Sequence, residues 1–139
     1  NIQAAALLLG RLEHDVRRAT DLQIDNNQIQ ITLWDDIHQG AFVSETVVFH
    51  ENPDHIGFSR QIGAESHAFC QGLVVEAVGT GTPIFTRAPF AASKVGVLVR
   101  LRISSPKRTE PFEIERVIYC ENIASNTSLP GWQRGDLGK

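Results

Sequence analysis

The chain has 139 residues, 42% of them apolar and 21% charged, with a net charge of −3. That length suits one domain, in which folding buries roughly two-thirds of the unfolded chain's surface. With neither a polybasic run nor an acidic block, the composition argues against nucleic-acid binding through phosphates, and no apolar run approaches the roughly 18 residues that span a bilayer.

The first twenty residues carry a helical period. Ile2, Ala5, Leu9, Leu12, Val16 and Ala19 recur at spacings of three and four and form one apolar stripe, opposite a polar stripe of Arg11, His14, Asp15 and Arg18. Over residues 4–9 the apolar side chains surround the helix. Leu7 and Leu8 exceed what one sheet can cover, and Ala4, Leu7 and Leu8 are the candidate partner interface, because a contiguous apolar helix end marks a contact surface. The chain begins at Asn1, inside the helical pattern, and contains no methionine, so a further N-terminal segment, an anchor, is expected ahead of it.

After Thr20 the period changes to two. Residues 28–33 alternate as a half-buried strand, preceded by the turn Asp25-Asn26-Asn27. Residues 46–50 and 55–60 read as a hairpin around Glu51-Asn52-Pro53-Asp54. Residues 71–78 are a further strand ended by Gly79-Thr80-Gly81-Thr82-Pro83, and 83–93 a loop with one short strand at most. In the last hairpin Ile103 is expected opposite Phe112, Leu101 opposite Ile114 and Val97 opposite Ile118. The same register sets Arg100 against Glu115 and Arg102 against Glu113 on a wet face. The domain is therefore expected over 1–122, with its helix at 1–20 and a polar tail at 123–139.

The search for chemistry returns no catalytic constellation. His50-Glu51 and His55 are spaced five apart around Pro53, whereas a zinc protease needs two histidines four apart on a helix, so they read as turn-flanking residues. Asp35, Asp36 and His38 offer metal-suited ligands but read better as a solvated loop. Residues 79–82 are too short for a phosphate cradle and lack its lysine, while Glu113 and Glu115 read as solubilising charges. Cys70 and Cys120 form no C-x-x-C motif. Cys120 shares its parity with Ile114 and Ile118 and is expected inward, and no disulfide is expected. No catalytic, cofactor or metal residue is assigned.

The run from Leu8 to Ala19, with Leu12, Asp15, Arg17 and Ala19 near its end, resembles the close of the long N-terminal helix in minor pilins and pseudopilins, often "L-x-x-D-L-R-x-A". Val47-Val48-Phe49 leading to Phe58-Ser59-Arg60 is similar to that family's hairpin, whose return strand ends near arginine. Gly72-Leu73-Val74 and the terminal hairpin resemble its later strands. Among subfamilies the likeness is nearest to J-type pseudopilins of type II secretion, or to the related large minor pilins of type IV pili and competence systems. The resemblance implies an α+β fold, an N-terminal amphipathic helix packed on an antiparallel sheet as a pilin-like head. It also implies a non-enzymatic subunit near the tip of a pseudopilus or type IV pilus. Its partners would be other minor pilin or pseudopilin subunits. The anchor would be a membrane helix absent from this chain, with the head in the periplasm or otherwise outside the cytoplasm. The competing expectations are an exported binding or adaptor module and a small enzyme with a helix-cradling sheet.

Overall fold

A computed structural model describes residues 2–38, 41–88, 94–107 and 110–124; the side chains of 34–38, 41–43 and 122–124, and every remaining residue, lie outside that description. Helix α1 (Ile2–Arg17) is followed by β1 (Asp21–Ile24), β2 (Gln28–His38), β3 (Ala41–Glu51), β4 (Ile56–Ile62), β5 (Glu65–Glu76), β6 (Phe85–Arg87), β7 (Lys94–Ser104) and β8 (Phe112–Ala124).

Alanine and leucine fill the first half of α1, both strong helix formers. The helix closes through tight i−3 bonds, Arg18 N to Asp15 O at 3.2 Å and Ala19 N to Val16 O at 3.1 Å. His14 and Arg17 in its last turn complement the negative end of the helix dipole. Thr20 then donates twice to the Thr32 carbonyl, from its amide at 2.7 Å and its hydroxyl at 3.1 Å, which ties the helix exit to β2.

The strands form one sheet in the order β1-β2-β3-β4-β5-β7-β6, with β8 also on β7 and every pairing antiparallel. The inner face is apolar: Ile29, Ile31, Val47, Phe49, Phe58, Val75, Val97, Val99, Leu101 and Ile103 are all fully buried. Helix α1 lies over that face, nearest β8, β5 and β2. In the last hairpin Val97 faces Ile118, Leu101 faces Ile114 and Ile103 faces Phe112, the expected register. Close packing is tightest at Gly96, beside a register shift. A Cβ there would overlap the Ile118 carbonyl oxygen and sit 2.8 Å from Tyr119 Cδ1.

The architecture corrects the expected fold class. In place of a pilin-like α+β head, the protein is mostly strand, with one short helix on a curled antiparallel half-barrel, and it meets the α+β description only weakly. The additional strand lies where side chains do not alternate between core and solvent. Residues 65–68 read Glu-Ser-His-Ala and are exposed on both faces, so no period-two signal marks them. They pair with β4 across a two-residue turn between Ile62 and Glu65. There Gly63, at φ 58°, takes the first central position that a type II′ hairpin reserves for glycine. β1 is only four residues long and β2 extends five residues past the expected end.

Candidate functional surface

The two faces of α1 differ from the expected stripe in three places. Ala5, Leu9, Leu12, Val16 and Ala19 are buried as expected, but Ile2 is 77% exposed. Leu8, assigned to the partner interface, is only 1% exposed and belongs to the core. Its position one step beside Leu9 widens the buried stripe, because the curled sheet wraps farther around the helix than a flat one would. Ala4 is half-buried against the same core, which leaves Leu7, at 69% exposed, as the outward residue of that trio. Around Leu7 the outer face carries Ala6 and Gly10, and Gly10 has open space where a Cβ would stand. Farther along, the outer face becomes basic with Arg11, His14, Arg17 and Arg18, all exposed.

Asp15 is the third departure. The polar stripe placed it outward, yet it is wholly buried, and its Oδ2 accepts a 2.9 Å bond from Nε of the buried Arg60 on β4. Arg11 Nε stands 3.7 Å from the same oxygen, while Asp15 Oδ1 has no partner. Arg60 is further held over the Phe49 ring, its Cζ 5.9 Å from the centroid. Phe49, Arg60 and His67 are successive register partners across β3, β4 and β5, so they form one row on the helix side of the sheet. Arg11, Arg60, His67, Ala68 and Phe69 line a recess of about 420 Å3. Nothing local in the sequence marked this cluster, since Asp15 and Arg60 lie 45 residues apart. The available signal was an aspartate and an arginine each singled out by a separate motif.

A second, wider cleft of about 520 Å3 opens where the β1–β2 turn, the β3–β4 turn and the loop after β5 converge, with Glu51, His55, Glu76 and Arg102 among its walls. Here His55 Nδ1 meets Glu51 Oε2 at 2.6 Å, and His50 Nδ1 lies 3.2 Å from the Glu51 backbone oxygen. Asn52 Nδ2 donates to the Ile56 carbonyl at 2.7 Å and Asp54 Oδ1 accepts from the Ile56 amide at 2.9 Å, which sets the turn. A carboxylate-oriented imidazole suits a general base. Among the described residues, however, no hydroxyl or thiol is bonded to His55, and Ser59 Oγ instead donates to Asn52 Oδ1 at 2.6 Å. Among the described residues no group of three or more His, Cys, Asp or Glu is placed to hold a metal ion. Asp35, Asp36 and His38 sit in β2 around a register shift, and their side chains lie outside the described residues.

Arg100 Nε donates to Glu115 Oε2 at 2.7 Å and Arg102 Nη2 to Glu113 Oε2 at 2.9 Å, as the expected register requires. Cys70 and Cys120 are buried free thiols. Burial pushes the Cys120 thiol up to about 11 from the ordinary 9.0, with the nearby Asp21 carboxylate adding to the shift, and burial raises Cys70 as well. Both are therefore poor nucleophiles at neutral pH. Cys120 faces inward as its parity required, whereas Cys70 sits at φ 55° in the irregular stretch of β5, outside any simple alternation.

Comparison of this chain with protein-family models, with known proteins and with solved structures gives no match. The resemblance to minor pilins and pseudopilins therefore rests on the quoted residues alone.

Proposed function

We propose that this chain is a non-enzymatic structural subunit that works by assembly, of the minor pilin or pseudopilin kind, with the outer face of α1 as its contact element. The observation that carries the reading is Leu7. It is 69% exposed in the second turn of a helix whose other face is fully committed to the core, and Ile2 in the first turn is 77% exposed. Ala6 and Gly10 flank it with little side-chain bulk, so a neighbouring helix can approach closely. Two large apolar side chains left exposed within the first two turns of the helix favour a protein contact over solvent. The partners on this reading are other minor subunits, and the head lies outside the cytoplasm.

The test is Leu7→Glu in this protein, followed by co-purification with the other subunits of the fibre. The expected result is an unchanged melting temperature for the domain and loss of the complex. Normal assembly by the folded variant would remove α1 as the contact element and leave the reading without its main support.

A further inference from the structure

We propose that the recess between α1 and the β4–β5 hairpin binds an oxyanion, a carboxylate or a phosphate group, through Arg11, Arg60 and His67. Two guanidinium groups and an imidazole line this one space, and its remaining walls are Ala68 and Phe69. The carboxylate beneath them, Asp15, is fully buried and supplies one negative charge against two permanent positive ones. A net positive charge is left facing the opening. Glu65 stands 4.0 Å from His67 Nε2 but is largely in solvent, where its attraction is screened.

Arg60 makes this a built site. Its side chain is 8% exposed, its Nε is held by Asp15, and the Phe49 ring lies against its guanidinium. Among the described residues no hydrogen bond engages its two terminal nitrogens, and neither is among the buried unpartnered atoms. They therefore reach accessible surface, and the surface that Arg60 lines is this recess. A guanidinium whose inner edge is fixed presents its outer donors without further ordering, the arrangement that suits two oxygens of one oxyanion. His67 is directly opposite Arg60 in the β4–β5 register and on the same face, while Arg11 approaches from the helix. The site stands whether or not the chain assembles through Leu7.

The experiment titrates the purified protein with inorganic phosphate and, separately, with acetate. Ionic strength is held constant with chloride, and binding is followed by calorimetry and by side-chain NMR signals of arginine and histidine. The expected result is saturable binding of at least one ion, with shifts at Arg11, Arg60 and His67. Arg11→Gln and His67→Gln, both at exposed positions, should each weaken it about tenfold, the scale of one charge-assisted hydrogen bond. Arg18→Gln, outside the recess, should leave it unchanged. Binding of phosphate alone assigns a phosphate group, and binding of acetate alone assigns a carboxylate. Saturation by neither ion overturns the site. So does binding that is indifferent to Arg11→Gln and His67→Gln, or that falls equally in Arg18→Gln, because diffuse surface charge would then explain it.

Discussion

Two sets of arginine–carboxylate contacts in this protein have nearly equal lengths and opposite surroundings. Arg60 and Asp15 meet at 2.9 Å beneath α1, where the carboxylate is wholly shielded. Arg100–Glu115 and Arg102–Glu113, at 2.7 and 2.9 Å, stand on the wet face of the β7–β8 hairpin, with side chains 33% to 60% exposed. Distance alone would rank them together. Solvation separates them: removing one partner of a buried pair strands a charge in a poorly solvated site, whereas water and salt replace the partner of an exposed one. The buried pair also joins helix to sheet, and the exposed pairs join two strands already paired through their backbones.

The largest expected effect follows from breaking the buried pair. Arg60→Met should destabilise the domain by about 3–5 kcal/mol, the usual cost of removing one partner of a buried ion pair. The loss is measured as a shift in the urea midpoint at unchanged slope. The comparison sharpens with the double variant Asp15→Leu, Arg60→Met. It removes both charges together with the unpartnered Asp15 Oδ1, so most of the lost stability should return. A double variant as unstable as Arg60→Met would show that the contact is structural in shape and not in charge.

The two leucines of α1 give the next contrast. Leu8→Ala should cost about 2–5 kcal/mol because Leu8 is 1% exposed, while Leu7→Ala should stay within about 0.5 kcal/mol. Equal losses in thermal unfolding would contradict the assignment of faces. Gly96→Ala comes after them, at about 1–3 kcal/mol, because the added methyl must displace backbone at Ile118 and Tyr119. A neutral result there would mean that the β7–β8 pairing opens at its bulge without cost.

These contrasts also explain what was legible in the sequence. The terminal hairpin was read to the residue, since Leu101 and Ile103 alternate with Arg100 and Arg102 and their partners follow in the next strand. The helix was read in its period but not in its width. A list of apolar positions places Ala5, Leu9 and Leu12 inside, yet only the curl of the sheet decides that Leu8 is covered and Leu7 is not. Asp15 was misplaced for a related reason: a charged residue at a core position looks outward until its partner is known, and Arg60 is 45 residues away. The Arg11–Arg60–His67 recess was illegible on the same ground, because its members come from a helix and two strands whose meeting is set by tertiary packing. The β4–β5 hairpin escaped because 65–68 are wet on both faces and carry no apolar alternation.

The smallest effect concerns the exposed ladder, and it tests what sets the register. If the charges merely accompany a pairing chosen by the apolar face, Arg100→Ala and Glu115→Ala in a double-mutant cycle should show a coupling of about 0.2–1 kcal/mol. The coupling should shrink in 1 M salt, where the screening length falls to about 3 Å. Replacing all four of Arg100, Arg102, Glu113 and Glu115 by alanine should then leave Leu101 opposite Ile114 and Ile103 opposite Phe112, observable as cross-strand NMR contacts. A slip of one residue would turn every side chain of β8 to the other face and put Ile118 and Cys120 into solvent, a penalty far above the ladder's contribution. If the quadruple variant nevertheless changes register, or if the coupling exceeds about 2 kcal/mol, the exposed pairs act as the buried one does. The contrast between the two regions would then have to come from geometry and not from solvation.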